Sequence, residues 1–450
     1  MAEQHVRTVD VDPANARVHE EGWQSWSPST DYPITGSPSR APSAISYRGN
    51  YGGTRPQPEP GTFRGEGVLA VDPGNGEPIV VVGADSAEVS VPWITARLDG
   101  SQLEISASEP VTVTEQPAEA GLQAALGQFG TAFASRAGVA PLRAAPTIWC
   151  SWYHYFTGVR QSDIEENLAG ITEQNLPVDV VQLDDGYQSE IGDWLTLSDR
   201  FHSLADMVSR IQDSGRRAGV WIAPFLAGSK SRLFAEHPDW LIRAHGELVE
   251  AHHNWGQVTY GLDTTHPGVQ AYLGEVFGYL MAAGFDFFKT DFVYAAALDG
   301  NRHGGLSPVA SYRLGLDLIR QGIGDSYLLG CGAPLLPSVG KVDAMRISPD
   351  TAPHFEPENG DLSKPSGRAA ILTSTGRAWQ HGRFWVNDPD CLIVRPEVEN
   401  REALADYISR VGGLRGSSDR IADLDDWGLR TTRELLSTVP PSTPFANLPN

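Results

Sequence analysis

Four aspartates in the middle of the chain stand at the ends of short apolar runs, a setting in which carboxylates can do chemistry. They are Asp184, Asp185, Asp291 and Asp350. An apolar run that leads into a charged residue is typical of a buried strand whose end reaches an active-site face. Breaking a glycosidic bond through an oxocarbenium-like transition state requires at least two carboxyl groups, and different strand ends can supply them. The pattern therefore points to cleavage of a sugar linkage.

One residue separates Lys289 from Asp291, so the alternation of side chains along a strand predicts that both face the same side. An ammonium group beside a carboxylate lowers the pKa of that carboxylate and keeps it ionised, as a nucleophile requires. An ordinary structural ion pair is equally compatible with this spacing.

The remaining aspartates also allow a structural and a functional interpretation. Adjacent Asp184 and Asp185 repel each other unless sugar hydroxyls or cationic side chains take up their lone pairs, but they could also form a solvated turn or a helix N-cap. Asp350 could cap a helix after Pro349, or it could be another functional carboxylate at a strand end, with Arg346 available to bind hydroxyls. A barrel fold favours the functional interpretation of the Asp184-Asp185 pair.

Eight short apolar runs after residue 143 alternate with amphipathic stretches, which predicts βα units around a parallel sheet. The expected strands are residues 147–152, 178–183, 218–223, 285–289, 327–330, 344–347, 391–394 and 413–415. Several of them lead directly into the aspartates above or into Cys331, so we predict a (β/α)8 TIM barrel in which these residues meet at one face. An open doubly wound sheet is the alternative, but no Gly-rich phosphate loop follows the first strand.

The barrel is expected to occupy residues 143–450, after a small antiparallel N-terminal β-sandwich-like domain at residues 1–142. Val-, Ile- and Thr-bearing runs, separated by turn-forming residues, indicate its strands. Examples of these runs are residues 67–71, 78–82 and 87–91. Residues 27–60 are rich in Pro, Ser and Gly and are expected to form a surface excursion. Residues 230–263 are expected to form a lid or rim of the pocket, with Trp240 and Trp255 contacting an aglycone or anchoring the loop.

The charge and cysteine content exclude several classes of partner. The chain has 34 basic and 56 acidic residues, a formal charge of −22, and no basic stretch interleaved with aromatics, so neither nucleic acid nor an anionic membrane is expected to bind. Its three cysteines are too scattered for a disulfide framework or a zinc site. The first ten residues lack the layout of a secretory signal and no run has the length of a membrane span, so we expect a soluble, cytoplasmic protein.

Three histidines lie close together in the sequence, but their spacing does not predict a metal site. His252, His253 and His266 include no helical i, i+4 pair. We interpret them as solvated loop residues, and neither a metal nor a cofactor is expected.

Five motifs occur in the order seen in glycoside hydrolase family 36, the α-galactosidase family related to family 27, and the chain resembles that family over residues 20–440. The motifs lie at residues 149–153, 183–188, 289–292, 346–350 and 385–390. The N-terminal sequence Gly-Trp-Gln-Ser-Trp-Ser at residues 22–27 also resembles the β domain of family 36. The resemblance implies a retaining glycoside hydrolase that cleaves terminal α-galactosides in oligosaccharides or glycoconjugates.

The resemblance also implies a role for individual residues. Asp291 resembles the nucleophile and Asp350 the acid/base. The implied substrate-binding residues are Asp184 and Asp185 at galactose O4 and O6, Lys289 at O3 and O4, Arg346 at O2, Cys331 near the 2-position, Trp152 and Trp221 as apolar walls, and Trp26 as an aglycone platform. Trp221 could instead belong to the barrel core, and Trp26 to the core of the β domain. Residues 387–390 are expected to shape the seventh βα loop without taking part in the chemistry.

Two departures from the family pattern leave functional alternatives open. Many relatives have a Cys-x-Gly-Gly-Gly stretch where this chain has Cys331-Gly332-Ala333-Pro334, so the choice between a 2-hydroxyl and a 2-acetamido group is undecided. The C-terminal β domain of relatives is expected to be absent, and a barrel face left uncovered could form a homo-oligomer interface. An α-N-acetylgalactosaminidase, an α-galactosyl transferase and a non-catalytic carbohydrate-binding protein are the alternatives.

Overall fold

The computed structural model describes residues 3–40, 49–50, 58–446 and 448. Within its described part the N-terminal region contains nine strands: β1 Gln4–Asp10, β2 Arg17–Glu20, β3 Thr30–Pro33, β4 Thr62–Glu66, β5 Val68–Asp72, β6 Ile79–Gly83, β7 Trp93–Asp99, β8 Gln102–Ala107 and β9 Thr112–Gln116. They form two antiparallel sheets, ordered β1-β8-β7-β4 and β3-β2-β5-β6-β9. A shared apolar cluster, which includes Val9, Leu69, Val80 and Ile105, lies between the sheets. This region is therefore the expected antiparallel β unit, and its boundary at residues 142 and 143 stays a prediction.

The five-stranded sheet is buried on both faces, which explains why its central strands are almost continuously apolar. Leu69 and Val80 face the other sheet. Val68 and Val81 face the barrel side and belong to its core cluster, together with Phe129 from the helix that follows. The N-terminal region is thus joined to the barrel by a continuous apolar core.

Two expectations for the N-terminal region are wrong. Residues 87–91 do not form a strand, because they form an irregular connection before β7 in which Val89 is 64% exposed. Residues 27–40 are not a surface excursion, since Ser27 and Ser29 are fully buried and Thr30–Pro33 pairs with β2. Of the rest of the predicted excursion, residues 49–50 are buried, residues 58–60 are largely exposed, and residues 41–48 and 51–57 lie outside the described part of the chain.

Eight parallel strands, all within residues 58–446, form a nearly closed barrel, so the predicted TIM-barrel class is confirmed. They are β10 Thr147–Cys150, β11 Val180–Leu183, β12 Arg217–Ile222, β18 Phe287–Thr290, β19 Tyr327–Gly330, β20 Ala344–Arg346, β21 Val386–Asp388 and β22 Arg415–Ser417. Short strands between β12 and β18 form the rim: β13 Leu226–Gly228, β14 Arg243–Ala244, β15 Glu247–Leu248, β16 Glu250–Asn254 and β17 Gln257–Gly261.

The α-helices of residues 58–446 surround the barrel or begin at its strand ends. They are α1 Leu122–Arg136, α2 Trp152–Tyr155, α3 Gln161–Glu173, α4 Leu204–Asp213, α5 Arg232–Glu236, α6 Pro267–Ala282, α7 Pro308–Ile323, α8 Leu335–Ser338, α9 Gly367–Gly376, α10 Arg401–Val411 and α11 Asp426–Leu436. None of these described helices is long and apolar enough to cross a lipid bilayer.

The seventh strand is not at residues 391–394, as predicted, but at Val386–Asp388. Only Val386 in this strand is apolar, so a search for apolar runs passes over it. Leu392, Ile393 and Val394 are fully buried, and the amide of Leu392 donates to the carbonyl of Gly416 at 2.8 Å. The apolar run therefore fills the space between β21 and β22, where the barrel would otherwise be open.

Candidate active site

The carboxyl ends of three barrel strands bring the sequence-predicted charged residues to one face of the barrel. Asp184 and Asp185 follow β11, Lys289 lies in β18 with Asp291 just beyond it, and Arg346 lies in β20 four residues before Asp350. All of them except Asp350 are at most 7% exposed. The side chain of Asp350 is 32% exposed and is thus accessible from solvent.

Asp291 is buried, and this burial raises its pKa. The indole Nε1 of Trp221 donates to Asp291 Oδ2 at 3.0 Å, and the amide of Phe292 donates to Oδ1 at 2.7 Å. Burial raises the pKa of the carboxyl more than Lys289 and Trp221 lower it, and the negative charge of Asp350 raises it further. The expectation that Lys289 keeps the pKa of Asp291 low is therefore wrong.

Lys289 is instead the direct partner of Asp184. Its Nζ lies 3.0 Å from Asp184 Oδ2, and both side chains are buried. Burial lowers the pKa of Lys289, but the attraction of Asp184 outweighs it and leaves the pKa well above its usual value. Asp184 also accepts hydrogen bonds from Gln182 Nε2 at 2.7 Å and from the thiol of Cys150 at 3.3 Å.

Replacing Asp184 with Asn is expected to damage both folding and catalysis. The variant leaves the Lys289 ammonium buried without its counter-charge, which lowers the free energy of unfolding by about 3 to 5 kcal/mol. The family resemblance also implies that Asp184 binds a galactose hydroxyl, and on that expectation kcat/KM for an aryl α-galactoside falls roughly 10³-fold. Urea denaturation and steady-state kinetics measure the two effects.

The double variant Asp184→Asn/Lys289→Met separates these effects. Removing both charges restores much of the stability, since neither charge is left unpaired, but it does not restore activity. Wild-type kcat/KM in a folded Asp184→Asn protein would exclude Asp184 from sugar recognition.

Asp185 has different partners from its neighbour. Its Oδ1 accepts from Gln188 Nε2 at 2.6 Å, and its Oδ2 accepts from the indole Nε1 of Trp255 at 2.7 Å. Burial raises the pKa of Asp185 to about 6 despite these two hydrogen bonds. Trp255 lies at the tip of the β16–β17 hairpin, so the rim inserted after the third strand reaches the site directly.

Arg346 is held by three carboxylates. Its Nη1 lies 2.9 Å from Asp350 Oδ1, its Nε lies 3.3 Å from Asp388 Oδ2, and its Nη2 lies 2.6 Å from Asp390 Oδ1. The hydroxyl of Tyr153 donates to Asp390 as well. Sequence reasoning left Asp388, Asp390 and Tyr153 out of the site. If the seventh strand had been placed correctly, the expectation that functional residues lie at the carboxyl ends of barrel strands would have pointed to Asp388 and Asp390.

The predicted tryptophans and Cys331 lie in different surroundings. Trp221 is 2% exposed and packs edge-to-face on Trp194, so it combines a core position with the hydrogen bond to Asp291. Trp152 is half-buried and packs on the exposed Phe156. Cys331 is buried, and its thiol faces Asp291.

Trp26 reaches the barrel from the N-terminal region. Its ring packs edge-to-face on Phe292 at a centroid distance of 4.8 Å and lies 6.0 Å from Tyr294. The buried Arg377 fixes the loop that carries it, since this guanidinium donates to the carbonyls of Ser25 and Ile347 at 2.6 and 3.0 Å. The same side chain therefore contacts the Trp26 loop and the strand end that precedes Asp350.

A cleft of about 180 Å³ opens beside Asp350. Trp26 and Phe292 form its aromatic side, and His252 and Lys364 lie among its polar groups. Burial and the charge of Lys364 lower the pKa of His252 to about 4, so its imidazole is neutral near pH 7.

The three histidines noted in the sequence lie in different environments. His252 is partly buried in the cleft, His253 pairs with Glu250 at 3.0 Å, and His266 accepts from the amide of Gly268 at the start of α6. Within the described ranges, no group of three or more His, Cys, Asp or Glu side chains could hold a metal ion.

Comparison with known proteins relates this barrel to glycoside hydrolases. The family model that matches is the glycosyl hydrolases family 31 TIM-barrel domain, over residues 139–309. The α-galactosidase TtGalA from Thermus thermophilus, solved with p-nitrophenyl α-D-galactopyranoside, has a TM-score of 0.79 and 28% identity, covering 97% of this chain and 89% of that chain.

Two curated relatives match shorter stretches. The bifunctional alpha-galactosidase/sucrose kinase AgaSK of Mediterraneibacter gnavus is 33% identical over 107 residues, which are 22% of this chain and 11% of that protein. The alpha-xylosidase XylQ of Lactiplantibacillus pentosus is 28% identical over 147 residues, which are 31% of this chain and 18% of that protein. The chain thus spans less than a fifth of the length of either relative. Its barrel is of the glycosyl hydrolase type with α-galactosidase relatives, and the matching model points to family 31 instead of the expected family 36.

Proposed function

We propose that this protein is a glycoside hydrolase that cleaves terminal α-galactosides in oligosaccharides or glycoconjugates. The observation that carries the proposal is the pair of carboxylates Asp291 and Asp350 at barrel strand ends, near enough that the charge of one raises the pKa of the other. The likeness to TtGalA over nearly the full length of both chains supports the same substrate class.

The proposed mechanism is a double displacement with retention. Asp291 attacks the anomeric carbon while Asp350 donates a proton to the leaving oxygen, and Asp350 then accepts a proton from the attacking water. Asp291 must be ionised to attack, and burial raises its pKa, so activity is expected to fall as the pH drops through that pKa. Asp350 fits the proton-transfer role because its carboxylate borders the cleft in which a leaving group can lie.

The proposed sugar-binding residues are those whose polar atoms surround Asp291. Asp184, Asp185 and Lys289 recognise hydroxyls of the galactose ring, while Trp221, Cys331 and Trp152 shape its pocket. Arg346 is assigned to the 2-hydroxyl of the sugar. Three carboxylates already contact its guanidinium and restrict this contact. Trp26 forms the aromatic wall on the leaving-group side.

The order of the five motifs supports membership of family 36 rather than family 31. The matching family 31 model ends at residue 309, so it includes Asp291 but neither Asp350 nor the residues 385–390. The family 36 assignment rests on these later motifs as well, since they continue the same order through the sixth and seventh strands.

A panel of p-nitrophenyl glycosides tests the proposal. The α-galactoside, α-N-acetylgalactosaminide, α-glucoside and α-xyloside are assayed side by side, with the Asp291→Ala variant as the control for contaminating activity. A site that hydrogen-bonds the axial 4-hydroxyl is expected to prefer the galactoside over the glucoside by roughly 10³-fold or more in kcat/KM.

Each other outcome of the panel favours a defined alternative. Preference for the xyloside would support a family 31-type activity, and preference for the N-acetylgalactosaminide would assign the pocket around Cys331 to a 2-acetamido group. Binding of galactose without turnover of any substrate would indicate a carbohydrate-binding protein.

A further inference from the structure

We propose that Asp390 is a positioning residue for the acid/base, because it fixes both Arg346 and the backbone next to Asp350. This inference rests on the proposed function, in which Asp350 donates the proton to the leaving group. It assigns a role to a residue of the seventh strand end that was expected only to shape a loop.

The carboxylate of Asp390 is a fully buried acceptor with four donors. Its Oδ1 accepts from Arg346 Nη2 at 2.6 Å and from the amide of Cys391 at 2.7 Å. Its Oδ2 accepts from the amide of Thr351 at 2.8 Å and from the hydroxyl of Tyr153. The side chain of Asp390 is 0% exposed, and its backbone adopts a positive φ of 85°, which is costly for a non-glycine residue.

These four donors come from three separate strand ends of the barrel. Tyr153 follows the first strand, Arg346 and Thr351 belong to the sixth strand and its loop, and Cys391 follows the seventh. Asp390 therefore ties the residue after Asp350 to two neighbouring loops. Its contact with Arg346 orients the guanidinium, whose Nη1 then holds Asp350 Oδ1 at 2.9 Å.

Asp350 and Asp390 differ in solvent exposure, which indicates that they have different roles. Asp350 is 32% exposed at the cleft, while Asp390 is enclosed behind Arg346. Asp390 does not line the cleft, so it acts through Arg346 and Thr351 and not on the substrate.

The cluster around Arg346 contains more carboxyl groups than cationic groups. One guanidinium serves Asp350, Asp388 and Asp390, so the cluster holds more negative than positive charge when all three carboxyls are ionised. Burial and the charges of Asp350 and Asp388 raise the pKa of Asp390 to about 6 despite the attraction of Arg346. The charged and titratable groups around Asp350 are its partner Arg346, the residues Asp291, Asp390, Tyr153 and Cys331 on which its charge acts, the cleft residues His252 and Lys364, and Asp388, which shares Arg346 with it.

The Asp390→Asn variant tests the inference in two ways: by how kcat/KM depends on the leaving group, and by how it depends on pH. A substrate with a poor leaving group, such as an α-galactosyl oligosaccharide, needs the proton most, so its kcat/KM is expected to fall about 10²-fold. An aryl galactoside with an acidic phenol needs little protonation and is expected to lose less than about tenfold. The basic limb of the pH profile is expected to move down by about one pH unit, since one negative charge fewer surrounds the proton donor.

Asp419→Asn is the matched control. Asp419 is also fully buried, pairs with Arg395 at 2.8 Å and accepts from the amide of Val394, but it follows the eighth strand and none of these contacts involves Asp350. It is expected to lower stability without changing the dependence of kcat/KM on the leaving group or on pH. Equal losses on both substrates in Asp390→Asn, with an unmoved pH profile, would reduce Asp390 to a structural role and overturn the inference.

Tyr153→Phe keeps the inference testable if Asp390→Asn does not fold. This variant removes one donor to Asp390 and leaves every charge in place, so a smaller change in leaving-group dependence is expected, in the same direction. An unchanged leaving-group dependence in Tyr153→Phe would also overturn the inference. A wild-type protein inactive on every galactoside would instead overturn the proposed function, and with it the role of Asp390.

Discussion

The Asp291→Gly variant is expected to lose at least about 10⁴-fold in kcat on an aryl α-galactoside, because the attacking carboxylate is absent. Added azide should restore turnover, since the small anion enters the vacated space and attacks the anomeric carbon from the same face. That attack inverts the centre and gives β-galactosyl azide, which proton NMR identifies by its anomeric coupling. Formation of α-galactosyl azide, or a folded variant that azide does not reactivate, would show that Asp291 is not the nucleophile.

The stability of a second variant, Asp291→Asn, gives a control for misfolding at this position. The pKa of Asp291 is raised by burial, so its ionised form opposes folding at pH values above the pKa of the unfolded chain. Replacing Asp291 with Asn is therefore expected to leave the melting temperature unchanged or to raise it, even though activity is lost. A large fall in melting temperature would mean that loss of structure contributes to the lost activity.

The barrel was predictable because its strands are short apolar runs that stop at polar residues. The same rule missed the seventh strand, where Val386 is followed by Asn387 and Asp388, and selected a nearby run of apolar residues instead. Leu392–Val394 are buried because they fill the space between the last two strands, not because they form a ladder. Local hydrophobicity reports burial, and it does not distinguish a strand from a buried loop.

The sequence predicted which residues meet at the carboxyl ends of the barrel strands, but not how they pair with one another. Strand alternation places Lys289 and Asp291 on one face, but the direct partner of Lys289 is Asp184, which comes from another strand. The raised pKa of Asp291 follows from the depth of its burial, which the spacing of residues does not reveal. Contacts between strand ends depend on the closure of the barrel, so only the folded structure supplies them.

The supporting residues come from segments that carry no strand-end signal. Trp255 lies on a hairpin tip in the inserted rim, and Arg377 follows a helix more than eighty residues beyond Asp291. Arg377 nonetheless contacts the carbonyls of Ser25 and Ile347, so it links the N-terminal region to the strand that leads to Asp350. The N-terminal β region is in this way part of the site rather than an appendage to it.

The Asp350→Gly variant is expected to give the opposite azide. A substrate with a good leaving group still forms the β-linked glycosyl-enzyme at Asp291, but no general base remains to activate water, so kcat falls by about 10² to 10⁴-fold. Azide needs no such base and reaches the intermediate from the face that the leaving group has left, which gives α-galactosyl azide. The product is identified by NMR beside that of Asp291→Gly, and the wild-type enzyme should release α-galactose first. The same azide from both variants, or initial release of β-galactose, would show that the two carboxylates have been assigned the wrong roles.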